Sequence, residues 1–402
     1  MFWRVAWRSL CERKVSVLLT MGALTLSILV LVGIEHLRQS ARSGFARTVS
    51  GVDLIVGART GDINLLLYAV FRLGDASNNI QWRSYQEIAT SPDVAWTIPL
   101  SLGDSHKGYK VLGTTQDYFA HYRFGRNQPL TFTTGGPFTE MLEVVLGAEV
   151  ARRLGYQLGD HLELSHGTGS TSFVHHDEHH FKVAGILAPT GTPVDQTLHI
   201  DLVGMEAIHA DGHEHDAAHL QPQSITAFMV GLKSRVKVFQ WQRQVNQYVG
   251  EPLHAILPGV TLIQLWSTLS IMENTLRVIS TLVLIASLFG MAAMLLTSLR
   301  ERRPEIALMR TLGASPIFIA LLLQMEVLLM VAGSALLASG LLFLVVTLGQ
   351  SFWMSHLGLQ VSLNLFSTRS GAALLLIFAS AAAVGLIPAW NAYRMSSAPT
   401  SL

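Results

Sequence analysis

Eleven of the sixteen histidines fall between His161 and His219, and eight of them form two clusters. His175, His176, His179 and His180 surround Asp177 and Glu178, while His209, His213, His215 and His219 surround Asp211, Glu214 and Asp216. Neutral imidazole and carboxylate are ligands for zinc, copper and nickel, and mixed tracts of them capture such ions without a rigid frame. Neither cluster has the H-E-x-x-H spacing that puts two ligands and a base on one helix face, so metalloprotease chemistry is not indicated. The tracts read either as loops that hold a divalent transition metal, with zinc the candidate ion, or as solvated loops whose histidines are incidental. The one cysteine, Cys11, lies far from both clusters, which excludes an internal disulfide and a thiolate ligand there.

A second constellation is built from arginine and glutamate. Residues 299–316, LRERRPEIALMRTLGASP, set Arg300, Glu301, Arg302, Arg303, Pro304, Glu305 and Arg310 ahead of Gly313, between two long apolar runs. An arginine excess in a short loop beside membrane spans marks the cytoplasmic face. Pro304 suits a first helical turn, Glu305 the positive end of the helix dipole, and Gly313 a stop. The spacing predicts a short amphipathic helix over residues 304–312 lying under the membrane. No G-x-x-x-x-G-K-[ST] phosphate loop occurs in the sequence, so nothing here cradles ATP in the usual way.

The apolar runs that frame this loop are long enough to cross a ~30 Å hydrocarbon core at ~1.5 Å per residue. Four spans are expected, at residues 15–34, 276–299, 317–348 and 371–388, the last ended by Pro388. Residues 1–14 carry Arg4, Arg8, Arg13 and Lys14 among aromatic and aliphatic side chains, the pattern of an interfacial amphipathic helix. The first apolar run exceeds a typical signal-peptide core and lacks a clear cleavage motif, so it reads as a retained span. Glu326 falls about 15 Å into the third span by helical rise. A carboxylate at that depth reads either as functional or paired across the bundle, or as a protonated or helix-capping structural group. Gly333, Ser334, Ala335, Ala338, Ser339 and Gly340 give the same span a small-residue face, suited to a dimer contact or an internal one.

The string ERRPEIALMRTLGAS resembles the signature of the MacB/FtsX-type ABC transporter permeases, a family shared with lipoprotein-release permeases. VDLIVGARTG, GAEVARRLGYQLGD and FKVAGILAPTGTPVDQTLHI resemble that family's extracytoplasmic core domain. The resemblance implies that the 299–316 loop docks on a cytoplasmic ABC ATPase dimer, which supplies the ATP-Mg chemistry, and that Arg300, Glu301, Arg302, Arg303, Pro304, Glu305, Arg310 and Gly313 form the contact. It implies a homodimer that passes ATP-driven movement to the outer domain, without substrate having to cross the membrane, and an acidic residue at the place of Glu326.

Composition agrees with a membrane anchor joined to a water-facing domain: half the residues are hydrophobic and only 14% are charged. A formal net charge of +1, with no basic cluster interleaved with aromatics, excludes nucleic acid as a partner. The expected organisation is a cytoplasmic helix at 1–14, the first span, a MacB-like α+β domain with His-rich loops at 35–270, the second span, and the coupling loop at 300–316. The third span, a short outer segment at 349–370, the fourth span and a cytoplasmic tail at 389–402 complete it. Within the 35–270 stretch, residues 54–56, 109–112 and 181–187 read as strands, and residues 84–89 and 147–154 as helices. Gly155 reads as a helix stop and Gly159-Asp160 as a tight turn. Both termini are expected in the cytoplasm of a bacterial cell, with the chain multi-pass in the inner membrane and the large domain periplasmic. Three uses for its movement stay open: export or release of lipoproteins, peptides or drugs; metal homeostasis; or regulation of an unidentified extracytoplasmic protein by a non-transport scaffold.

Overall fold

The computed structural model describes residues 2–48, 50–166, 175–209, 221–357 and 368–397. In chain order its helices are α1 (Phe2–Glu12), α2 (Lys14–Thr48), α3 (Asp62–Phe71), α4 (Trp82–Ala89), α5 (Asp117–His121), α6 (Ala148–Leu154), α7 (Leu202–His209), α8 (Val238–Asn246), α9 (Pro258–Glu301), α10 (Arg303–Thr311), α11 (Pro316–Leu357) and α12 (Thr368–Ser397). The strands are β1 (Leu54–Ala58), β2 (Ile80–Gln81), β3 (Val94–His106), β4 (Tyr109–Thr114), β5 (Arg123–Phe124), β6 (Gln128–Pro129), β7 (Phe132–Gly135), β8 (Glu143–Leu146), β9 (His161–His166), β10 (His175–Leu187), β11 (Thr197–Asp201), β12 (Ser224–Ile225), β13 (Ala227–Leu232) and β14 (Leu253–Ile256). The chain divides into a helical unit, residues 1–40, 270–351 and 361–402, and an α+β unit, mainly residues 41–269.

The α+β unit is organised on a mixed ten-stranded sheet, ordered β14-β1-β13-β3-β4-β11-β8-β10-β7, with β9 pairing β10 and β3. Its inner strands are continuous apolar runs, such as LIVGA in β1 and AFMVGL in β13, buried at every position. Such runs belong to strands covered on both faces. Helix α3 covers one face with Leu65, Leu66, Tyr68 and Ala69. On the other, Tyr85 and Ile88 of α4 and Trp241 and Val245 of α8 pack over Phe228 and Val230, and α6 and α7 close the far end over β8, β10 and β11. Gly57 admits α3 at close range, since a Cβ there would lie 2.5 Å from a methyl of Leu65 and 2.8 Å from the Tyr68 hydroxyl.

The motifs that looked like family signatures in this stretch are structural fasteners. Asp53 Oδ2 accepts from the Leu232 amide at 2.9 Å. Asp195 is buried and accepts from the Thr190 amide at 2.8 Å, the Gly191 amide at 2.8 Å and the Thr190 hydroxyl at 2.8 Å. Burial pushes its carboxyl up, against the lowering effect of those donors. Gly147 lies directly on this loop: a Cβ there would meet Val194 O at 2.3 Å and Asp195 O at 2.5 Å. Gly155 ends α6 in the left-handed region at φ 74, and Gly159 turns at φ 89 into β9 as its spacing predicts.

In the helical unit the described chain holds four helices long and apolar enough to cross a membrane, at Lys14–Phe45, Pro258–Glu301, Pro316–Gln350 and Ser370–Arg394. All four outrun the apolar stretches expected from hydropathy. The fourth departs from expectation in kind, because Pro388 lies inside α12 and does not end it. Proline removes one helical hydrogen bond, yet in apolar surroundings leaving helix geometry would strand many more backbone groups, so the helix continues.

Candidate functional site

Helix α10 is the expected amphipathic segment, shifted by one residue. It starts from Arg302, with the Ile306 amide donating to Arg302 O at 2.9 Å, and Pro304 occupies the first turn. It stops in a Schellman arrangement: the Gly313 amide reaches Arg310 O at 3.0 Å and the Ala314 amide reaches Met309 O at 2.9 Å. Gly313 supplies the left-handed turn at φ 94. Ile306 is buried among Leu299, Ile319, Leu323 and Ala392, with Met309 packed alongside. Three neighbouring helices, α9, α11 and α12, therefore grip α10 from within, and burying Ile306 alone is worth ~1.5–3 kcal/mol.

Beneath α10 the structure assembles a polar knot. Arg302 Nη1 donates to Glu326 Oε1 at 3.1 Å. Arg302 Nη2 donates to the Ser9 hydroxyl, which in turn donates to Glu326 Oε1. The Glu326 side chain is 2% exposed and that of Arg302 is 12% exposed. Glu305 Oε2 approaches Arg302 Nε at 3.2 Å from the solvent side. Arg13, between α1 and α2, shares this field: burial and then the Arg302 charge lower its pKa, while Glu326, Glu301 and Glu305 oppose the shift. The knot ties α1, the segment before α10, and α11 together with one carboxylate, one hydroxyl and one guanidinium.

Of the readings open for Glu326, pairing across the bundle is the one seen, with Arg302 of the charged loop as its partner. Arg302, expected on the partner-facing surface, turns its guanidinium inward to Glu326 and Ser9. Of the other loop residues, Arg300, Glu301, Arg303, Pro304, Glu305 and Arg310 are exposed, and Arg310 Nη1 donates to Ala314 O at 3.0 Å, across the helix stop. The outward face also carries Leu308, 62% exposed, and Leu312, 80% exposed. Reading the loop for charge missed this pair, although an i, i+4 leucine pair on the side of α10 away from Ile306 is a legible signal.

At the opposite end of α2, ion pairs join it to α9. Arg38 Nε meets Glu273 Oε2 at 2.7 Å, Arg38 Nη1 meets Glu35 Oε2 at 3.1 Å, and Arg277 Nη2 meets Glu35 Oε2 at 3.2 Å. Midway, Ser27 and Ser287 hydroxyls lie 2.8 Å apart. The small-residue face of α11 is used internally: the Ser334 hydroxyl donates to Met21 O at 3.2 Å, and a Cβ on Gly333 would sit 2.6 Å from the Met21 methyl. Gly340 has nothing within 4 Å of its Cβ position.

The first histidine cluster is carried on strand β10, not in a loop; His175 pairs with Ser165 and His180 with Glu163 of β9. Of these four side chains His180 is the one described, with Nδ1 3.4 Å from Glu163 Oε1. His209 ends α7. His213, His215 and His219 lie outside the described residues. Among the described residues no group of three or more histidine, cysteine or carboxylate side chains converges as a metal site.

The family described as the MacB-like periplasmic core domain matches residues 17–248, and the FtsX-like permease C-terminal family matches residues 277–397. Among solved structures, the periplasmic region of MacB from Actinobacillus actinomycetemcomitans aligns over 54% of this chain and 94% of its own, at 11% identity and a TM-score of 0.36. The extracellular domain of the noncanonic ABC-type transporter YknZ from Gram-positive bacteria aligns over 51% of this chain and 99% of its own, at 10% identity and a TM-score of 0.32. None of the curated proteins matches the chain.

Proposed function

From the premise that this chain belongs to the MacB/FtsX-type ABC transporter permeases, whose members work with cytoplasmic ABC ATPases, we propose that it transmits ATP-driven movement from such an ATPase to its own periplasmic domain. The working unit in this reading is two copies of the chain with two ATPase subunits that bind ATP-Mg. The observation that carries it is the two-sided character of α10. Its inner face is fixed by Ile306, Met309 and the Arg302–Glu326 pair, while its outer face presents Leu308 and Leu312 flanked by Arg303, Glu305 and Arg310. An exposed apolar pair rimmed by charge suits a groove on a partner protein, with the charges setting register.

The test replaces the outward residues and leaves the inner ones intact. Leu308→Asp/Leu312→Asp and, separately, Arg303→Glu should keep the thermal midpoint of the purified chain while releasing the co-purifying ATPase or abolishing its stimulation. An intact complex with unchanged ATPase activity in both variants overturns the assignment. Topology belongs to the same reading, with both termini on the ATPase side. A reporter active only outside the cytoplasm should work when fused near Gly212 and fail after Arg303 or Arg394.

A further inference from the structure

We propose that a basic recess in the α+β unit is a binding site for a small molecule bearing a phosphoryl group. The recess has a volume of about 380 Å³ and is lined by Arg72, Lys107, Lys110 and Arg153, together with Tyr109 and Gln196 and no carboxylate. Two carboxylates stand behind it: Asp75 pairs with Lys110 at 3.0 Å, and Glu149 pairs with both Arg153 and Arg152 at 2.6 Å. Five cations to two carboxylates leave an excess of three positive charges around one concavity.

The excess is preorganised by neutral partners. Arg72 Nη1 donates to Ala69 O at the end of its own helix. The Lys107 ammonium lies 5.3 Å from the centre of the Tyr156 ring and donates to that residue's hydroxyl at 3.1 Å. Neither contact cancels a charge; Arg72 also reaches the buried Tyr118 hydroxyl, so Lys107 is the cation held at little ordering cost for an anion. Guanidinium forks and ammonium points are together the donor set that suits phosphate oxygens.

Backbone conformation marks the same place independently. Among the described residues three that are not glycine have positive φ, namely Arg72 at 60, Lys107 at 48 and Asn127 at 62, and two of these three line the recess. Lys107 precedes Gly108 in a two-residue hairpin closed by the His106–Tyr109 pair, where asparagine or glycine would be the relaxed choice. At Arg72 the left-handed conformation is the C-cap of α3, its amide donating to Leu67 O, so the strained residue type that points to a ligand is Lys107.

The phosphoryl group could arrive on a free anion or on a lipid headgroup, and two probes separate these sources. Pyrophosphate and glycerophosphoglycerol, the deacylated headgroup of an anionic phospholipid, are titrated calorimetrically into the full chain in neutral detergent at low salt. Tighter binding of pyrophosphate assigns a free phosphate anion, and tighter binding of the headgroup assigns a lipid. In Lys107→Gln/Lys110→Gln the Kd for the better probe should rise at least tenfold. Lys107→Gly should raise the thermal midpoint, by relieving the left-handed backbone, while weakening the same binding. Absence of heat with both probes, or unchanged Kd in either variant, overturns the site.

Discussion

Removing the carboxylate of Glu326 isolates a guanidinium that is 12% exposed, next to the positive charge of Arg13. Breaking one side of a buried pair costs ~3–5 kcal/mol, most of it from the charge left behind. Glu305, 3.2 Å from Arg302 Nε, absorbs part of that charge, so Glu326→Ala is expected at the lower end, about 3 kcal/mol. Arg302→Ala instead strands a carboxylate that is 2% exposed with the Ser9 hydroxyl still donating to it, and a similar loss follows. Replacing both, as Arg302→Ala/Glu326→Ala, leaves no unpaired buried charge and should cost well under the sum of the two single losses. Unfolding of the four proteins in one detergent therefore yields a double-mutant cycle, with a coupling of at least ~2 kcal/mol expected. Single losses under ~1 kcal/mol, or additivity within ~0.5 kcal/mol, would refute the pairing as a structural tie. ATPase stimulation measured on the same proteins should fall in both single variants, because α10 loses its inner anchor while Leu308 and Leu312 are unchanged.

Burial of His199 pushes its pKa down from 6.5 to about 3, so the folded imidazole stays neutral while the unfolded one protonates. Stability is then full above pH ~6.5 and falls by up to ~1.4 kcal/mol per unit below it, about 2 kcal/mol by pH 5; acid unfolding of His199→Asn should lack that slope, and an identical slope contradicts the cause. Gly147→Ala drives a Cβ to 2.3 Å from Val194 O and should cost several times more than Gly155→Ala, where φ is 74 but nothing lies within 4 Å; thermal midpoints decide, with equal losses counting against the packing argument. Zinc titrated into the full chain should bind at pH 7.5 and much less at pH 5.5, since imidazole must shed its proton to coordinate, and replacing His175, His176, His179 and His180 by alanine should lower the stoichiometry. Equal binding before and after replacement of both clusters returns the histidines to incidental residues.

What could be read from the sequence follows the range over which each signal acts. The spans and α10 were legible because apolar length, Pro304 and Gly313 act locally, and the α+β character followed from short apolar runs bounded by turn residues. The inward turn of Arg302 was not legible, since Glu326 lies 24 residues away and Ser9 lies 293 away, and no pattern in the chain announces such contacts. Hydropathy also located where apolar character ends, not where helix ends: α9 begins at Pro258 and α12 runs through Pro388. For the first histidine cluster, composition suggested a solvated loop, whereas pairing with β9 holds it in strand β10.

The distribution of polar ties in the helical unit bears on how α10 could transmit a displacement. Apolar helices in an apolar medium gain little from hydrophobic contact with one another, so polar contacts and close packing fix their register. Here α2 is tied to α9 by Glu35, Arg38, Glu273 and Arg277 at one end and by Ser27 and Ser287 midway. It is tied to α11 through Met21, Gly333 and Ser334. The Arg38–Glu273 pair is largely shielded, at 17% and 14% exposed, and a partner lost there is poorly replaced by solvent. Sliding one helix past another would break several ties at once, whereas moving the bundle as a body breaks none. In the proposed reading, force applied at Leu308 and Leu312 would enter α10 and pass to α11 through Arg302 and Glu326 and to α1 through Ser9. Both α2 and α9 contain residues of the helical and the α+β units. In the proposed reading, a substitution at the Arg302–Glu326 pair is expected to separate ATPase binding from transmission, because the pair lies on the inner side of α10, away from Leu308 and Leu312.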